Sequence, residues 1–416
     1  MAVQSTTGGT IAASAWRTPL VIITCGCLIG AIGFGPRAAL GLFLTPMSSA
    51  YSWGRDVFAL ALAIQVLVWG TATPFVGAIA DRFGSLRVLS VGTVLYCAGL
   101  VLMAYSTTPG MLDFSAGILT GLGIAGTSFP LVLASFSKLM PAEWRGFAFG
   151  VGTAAGSFGQ FLFSPLAVGL IGILGWQHAL IALGIFTLLI IPCAFGVRTP
   201  PMDVAPTPGG AQKQSLVQAL SEAFGHRSYV LLVLGFFTCG FQLLFITVHL
   251  PAYLVDRGLS VDAGAWTIGV IGLFNIIGSI TAGWLGDRMP KRYLLSVIYL
   301  LRSLAVAVFI TLPVTSVTAI AFGAFMGLLW LSTVPPTSGL VALMFGTRWM
   351  ATLFGFAFFS HQVGGFLGVW LGGVLFERTG SYELIWWLSI ALGIISAVIN
   401  LPIVERPVVR AEPVPA

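Results

Sequence analysis

The sequence predicts an all-α membrane protein of twelve transmembrane helices, arranged as two pseudo-symmetric six-helix bundles. Three observations predict it. Of 416 residues, 57% are hydrophobic and only 8% charged, whereas soluble domains carry about a quarter charged residues. Twelve apolar segments of bilayer-spanning length follow one another along the chain, each near the required length of about 20 residues. Residues 206 apart also match: Gly77, Asp81 and Arg82 map to Gly283, Asp287 and Arg288, and Thr127 and Pro130 map to Thr333 and Pro336. So few charges cannot build a water-facing surface, so lipid must solvate most of the chain. The 52 glycines are dispersed within apolar runs, which fits helices whose backbones pack closely in a bilayer.

The first six spans are read near 19–46, 54–80, 86–106, 110–138, 145–172 and 176–197. The first is too long for the apolar region of a cleaved signal and is expected to remain. Residues 199–227 form the longest polar stretch and carry Pro200, Pro201, Pro206, Pro208, Gly209 and Gly210. That composition reads as a linker, between an N-terminal bundle (1–198) and a C-terminal bundle (228–416). The second six spans are read near 228–254, 263–285, 292–313, 316–344, 348–376 and 382–403.

Loop cations set the orientation. With the N-terminus inside, fourteen Lys and Arg residues fall in cytoplasmic loops and three, Arg55, Arg257 and Arg378, fall outside. This bias places both termini in the cytoplasm. The net charge of +6 is explained by the same rule, so no nucleic-acid partner is expected. Five cysteines, Cys25, Cys27, Cys97, Cys193 and Cys239, all lie within spans and read as packing residues rather than a metal or disulfide set. No ATP-binding motif is present, and no cofactor is expected.

The stretch Gly77-Ala-Ile-Ala-Asp81-Arg82-Phe-Gly84-Ser-Leu-Arg87 resembles the signature loop of the major facilitator superfamily, between its second and third helices. A degenerate copy follows the eighth span: Gly283, Asp287, Arg288, Lys291 and Arg292, with Pro290 in place of the expected Gly. Within that superfamily, Gly156-Ser-Phe-Gly-Gln160-Phe-Leu-Phe-Ser-Pro165 and Ser360-His361-Gln362-Val-Gly364-Gly365 resemble bacterial members related to monocarboxylate and oxalate–formate transporters. The resemblance implies two halves that rock around a central site and a loop that latches the cytoplasmic side. Gly77, Asp81, Arg82, Gly84, Arg87, Asp287 and Arg288 are the expected gating residues. Asp81 would accept hydrogen bonds from the start of a neighbouring helix, and Arg82 and Arg87 would pair with acidic or carbonyl groups. Carboxylate transporters of the group commonly carry an Arg in the eighth helix; Ser279 stands there instead.

Arg37 lies within the first span, between Pro36 and small residues. A guanidinium inside a bilayer costs about 2.5 kcal/mol or more, so it must face a wet cavity, a partner or the interface. It is a candidate anion ligand; the alternatives are snorkelling to the outer interface or pairing with Asp56 or Asp256. Arg302, mid-depth in the ninth span, is expected to make a structural pair or hold local water. His361 can donate to an anion and titrate near neutral pH; in the resemblance it takes the position of a cationic Lys of the oxalate–formate exchanger. His249, near the outer end of the seventh span, reads as a gate residue. Asn275, Gln160 and Trp330 are expected to shape the cavity. Thr127 and Thr333 sit beside prolines in the fourth and tenth spans, which read as cavity-lining, hinge-capable segments.

No Asp or Glu lies at mid-depth, so the embedded ionisable groups favour an anionic substrate. The sequence reads as a monomeric secondary transporter of a small organic anion, a monocarboxylate, working by alternating access in the lipid bilayer. A proton or a counter-anion would be its second partner. The rival reading is efflux of drugs or other amphipathic compounds through the same fold. An enzyme is not expected, because His178, His226, His249 and His361 are dispersed and supply no catalytic cluster.

Overall fold

Thr18 starts the first helix: its hydroxyl accepts the Val21 amide and Pro19 follows at the first helical position, where a missing N–H is harmless. The computed structural model describes residues 16–53, 55–201 and 214–408. Among these, the first half comprises α1 (Pro19–Ala39, continued by a 3₁₀ turn Leu40–Phe43), α2 (Arg55–Phe83), α3 (Ser85–Ala104) and α4 (Pro109–Leu139). The next apolar stretch, Ala142–Gly196, is 55 residues long, which at about 1.5 Å per residue far exceeds a bilayer core of about 30 Å. Gly175, with φ 77° and ψ 162°, folds it back on itself, giving α5 (145–174) and α6 (176–196). The backbone there is open to glycine but strained for any side chain.

The second half comprises α7 (Arg227–Asp256), α8 (Val261–Gly286), α9 (Lys291–Thr311), α10 (Ser316–Phe345), α11 (Met350–Thr379) and α12 (Glu383–Asn400). The protein is thus an all-α, multi-pass membrane protein. The expected linker is not wholly irregular. Leu216–Gly225 is helical because Ser215 and Gln218 form a reciprocal capping box. Residues 202–213, with Pro206, Pro208, Gly209, Gly210 and Lys213, lie outside the described residues, as does Arg410.

Two helices are broken where the sequence places proline. In α4, Ser128 is extended (φ −78°, ψ 165°) between Thr120–Thr127 and Phe129–Leu139. In α10, the helix stops at Leu329 and restarts at Val334. Proline cannot donate to the preceding turn, so carbonyls are freed at both breaks.

The halves meet along two antiparallel seams, α2 against α11 and α5 against α8. Small residues line both. A Cβ on Gly77 would stand 2.5 Å from the Ala351 carbonyl oxygen, and one on Gly150 would stand 2.6 Å from that of Ser279. Each seam runs from the face where the described residues begin and end, at 16 and 408 (the terminal face), up to the middle of the protein. Backbones this close gain dispersion contacts that larger residues would forbid.

Candidate functional site

Where the seams end, a cavity of about 180 Å³ opens between the halves. Arg37 from α1 and Gln160 from α5 line it on one side. Asn275 from α8, Trp330 from the broken stretch of α10, and His361 and Gln362 from α11 line the other. Five residues picked out from the sequence, Arg37, Gln160, Asn275, Trp330 and His361, therefore share one chamber.

Arg37 is half-buried, and its guanidinium lies 4.8 Å from the Trp69 ring centroid and 5.5 Å from that of Phe34. Its Nε is buried without a hydrogen-bond partner. Among the described side chains no carboxylate pairs with it, and Asp256 is exposed at the end of α7. Stacking over aromatic faces stabilises a cation in place of a counter-ion. His361 is buried, with its ring stacked on Phe358 at 5.5 Å. Its Nδ1 sits 3.1 Å from Gln362 Oε1, while His361 Nε2 and Gln362 Nε2 lack partners. With Gln362 Oε1 as acceptor, Nδ1 carries the proton. Neutral His361 then carries a lone pair at the buried Nε2, and protonated His361 an N–H there.

Asn275 is committed within the protein. It donates to Ser157 Oγ across the α5–α8 seam, and its Oδ1 accepts from Ser279 Oγ (3.0 Å) and the Leu331 amide (2.9 Å). Ser279 therefore orients Asn275, and Asn275 caps a freed amide of broken α10. Thr127 and Thr333 do not line this chamber. Thr127 Oγ1 turns back to the Gly123 carbonyl at 3.2 Å, and Thr333 Oγ1 donates to Cys239 Sγ at 3.1 Å. At a helix break a short hydroxyl satisfies its own neighbourhood first. His249 also stays within its own half, its Nε2 2.9 Å from the Val369 carbonyl and its Nδ1 3.3 Å from the Tyr382 hydroxyl; no contact from it crosses to the first half among the described residues.

The terminal face is closed by two carboxylates. Asp81 Oδ2 accepts the Thr352 amide (2.8 Å) and hydroxyl (2.9 Å), and Oδ1 accepts the Ala351 amide (3.3 Å) and Lys138 Nζ (2.6 Å). Asp287 accepts the Gly146 and Phe147 amides, each at 2.9 Å. Both acids thus sit on the positive end of a helix in the opposite half. Burial lifts the Asp287 carboxyl above the ordinary carboxylate range, against the pull of the two amides. The arginines expected to join this latch do not. Arg82 and Arg87 are exposed, and Arg288 lies 4.0 Å over its own Trp284 ring. Lys138 supplies the cation instead. Gly84 takes φ 88° to pass the chain from α2 into α3, directly over the Thr199 carbonyl.

Arg302 is fully buried, and its Nε and Nη2 donate to the Leu329 carbonyl at 3.0 and 2.5 Å; Nη2 also donates to the Trp330 carbonyl. The cation of peripheral α9 therefore holds the carbonyls released where α10 breaks. Trp69, Phe34, Phe358 and Gln362 at the cavity, and Lys138 at the latch, escaped the sequence-level choice of site residues. One signal was available: the offset of 206 that relates Asp81 to Asp287 also relates Trp69 to Asn275.

Two helical bundles that share one chamber and close over it on one face define a carrier that exposes its site to the two sides of a membrane in turn. The Major Facilitator Superfamily profile matches residues 26–369. The chain belongs to that superfamily, and is a membrane transporter, not an enzyme. It is 30% identical over 376 residues to the uncharacterized MFS-type transporter YcxA of Bacillus subtilis, covering 88% of this chain and 90% of the relative. It is 26% identical to human monocarboxylate transporter 11, covering 89% and 79%. Among solved structures, the proton:xylose symporter XylE superposes with a TM-score of 0.72 at 15% identity, covering 93% and 96% of the chains. The E. coli fucose:proton symporter FucP gives 0.68 at 17%, covering 92% and 99%; at such identities the likeness concerns the fold.

Proposed function

We propose that the protein carries a small organic anion, a monocarboxylate, through a bacterial inner membrane by alternating access. Both termini lie in the cytoplasm, so the state described is closed inward and its chamber faces out. One observation carries this reading: a guanidinium with no carboxylate partner among the described side chains, of which Asp56 is not one, and an imidazole with an unpartnered Nε2 line the same chamber, one from each half. An anion bridging them would neutralise Arg37 and gain charge-assisted hydrogen bonds. His361 couples the anion to a proton, because its Nε2 can donate only when the ring is protonated. The names of the relatives, monocarboxylate transporters 11 and 13, agree with that substrate class.

Efflux of larger amphipathic compounds fits less well. Drug-sized ligands occupy pockets of about 300–1,000 Å³, and this chamber is about 180 Å³. Proteoliposome uptake of labelled monocarboxylates under an inward proton gradient tests the reading. Arg37→Gln is expected to reduce uptake at least tenfold. Unchanged anion flux in that variant, together with export of a lipophilic cation, would overturn it.

A further inference from the structure

Leu243, Leu244, Ile268, Ile271, Leu331 and Val334 line part of the chamber; the rest of its apolar wall is made of rings, and they form an unbroken series across both halves. Phe129 contacts Phe34 at 5.2 Å between centroids, and Phe34 contacts Trp69 at 6.0 Å. Trp69 then crosses the boundary to Phe358 at 5.1 Å. Phe358 stacks on His361, which meets Phe236 at 5.1 Å. All of these residues line the cavity. Both groups assigned to the anion belong to this wall: the Arg37 guanidinium lies over Trp69, and His361 is itself one of the rings.

The polar inventory is short by comparison. Asn275 is committed to Ser157, Ser279 and Leu331. Beyond Arg37 and His361, the cavity-lining groups left for a ligand are Trp69 Nε1 and Gln362 Nε2, both buried without a partner, and the side-chain amide of Gln160. A polyhydroxylated solute would find too few partners for its hydroxyls and would lose them on leaving water. A short aliphatic acid would leave most of the ring wall facing water.

We infer that the substrate is an aromatic monocarboxylate, its carboxylate between Arg37 and His361 and its ring against the wall formed by Phe34, Trp69 and Phe358. This rests on the anion reading above and narrows it. A flat ring meets aromatic faces and edges with a gain beyond the apolar area it buries. Trp69 and Phe358 come from opposite halves, so a ring placed against both is held by contacts that must change when the halves rock.

The test is binding to the purified full-length protein by isothermal titration calorimetry. Four probes are used: benzoate, cyclohexanecarboxylate, propionate and benzamide. Benzoate is expected to bind about tenfold more tightly than cyclohexanecarboxylate, and propionate more weakly than either, while benzamide shows no binding. Phe358→Leu is expected to remove most of the difference between benzoate and cyclohexanecarboxylate. If cyclohexanecarboxylate or propionate equals benzoate in the wild type, the aromatic assignment falls and the anion reading stands. If benzamide binds as well as benzoate, the anion reading falls with it.

Discussion

Asp81 and Asp287, 206 residues apart, make the same contact in opposite directions. Each carboxylate leaves its own half and accepts two consecutive backbone amides at the start of a helix in the other: Ala351 and Thr352 for Asp81, Gly146 and Phe147 for Asp287. The two latches are unequal. Asp81 is buried and adds the Thr352 hydroxyl and the Lys138 ammonium; Asp287 is half-buried, and among the described residues its hydrogen bonds are those from the two amides. Hydrogen bonds to charged groups contribute about 1.5–3 kcal/mol each. Asp81→Asn is therefore expected to shift the balance away from the state closed at the terminal face by more than tenfold, and Asp287→Asn by less. Electron–electron distance measurements between spin labels across that face would show it. Equal shifts in the two variants would contradict the ranking.

A second prediction concerns the seams beneath the latches. A Cβ at position 283 would stand 2.8 Å from Gly150 Cα, and one at position 77 would stand 2.5 Å from the Ala351 carbonyl oxygen. Neither obstacle is a flexible side-chain end, so the helices must separate. Overpacking of this kind costs about 1–3 kcal/mol, charged only to the closed state. Gly283→Ala and Gly77→Ala should raise the labelling rate of a cysteine placed near the terminal end of the seam. Gly373→Ala on α11, where nothing lies within 4 Å, should leave it unchanged.

The twelve helices were legible because lipid demands apolar runs of fixed length. Arg37, His361, Gln160 and Asn275 were legible because a polar group in such a run needs a reason. The latch was half legible. Asp81 and Arg82 are adjacent in sequence, and on a helix adjacent residues point about 100° apart. With Asp81 turned into the seam, Arg82 must face outward, so its cation goes elsewhere and Lys138 from α4 takes the place. Thr127 and Thr333 repeat because both halves break a helix there, and neither side chain lines the chamber. The ring wall was hidden by abundance. Among 12 Trp and 31 Phe, nothing in one sequence separates those facing the chamber from those facing lipid.

The orientation of His361 leads to a prediction about coupling. Gln362 Oε1 holds Nδ1, which leaves Nε2, buried without a hydrogen-bond partner, as the ring nitrogen free to take part in proton coupling. His361→Gln retains a hydrogen-bonding side chain but removes the titrating group. Uptake driven by a proton gradient is expected to fall at least tenfold, while exchange of internal for external substrate continues. The check is paired uptake and exchange assays in proteoliposomes over a range of pH. Loss of both to the same extent would mark the ring as a binding group alone.

Arg302 should govern the site without touching it. Its guanidinium carries the Leu329 and Trp330 carbonyls, and the next residue, Leu331, gives its amide to Asn275. The break in α10 is therefore held from both sides: a cation from α9 on its carbonyls and an amide oxygen from α8 on its free N–H. Arg302→Leu fills much of the volume but leaves the buried Leu329 carbonyl without these donors, at about 1–3 kcal/mol, and takes a donor from the partly buried Trp330 carbonyl as well. A lower melting temperature is expected. Arg302→Lys keeps the charge but cannot reproduce the planar fork, so it should recover only part of the loss. The same variants should weaken substrate binding several-fold through displacement of Trp330, which lines the chamber, and shift the emission of that tryptophan. A melting temperature and emission spectrum both unchanged in Arg302→Leu would show that the break in α10 holds its shape without the cation.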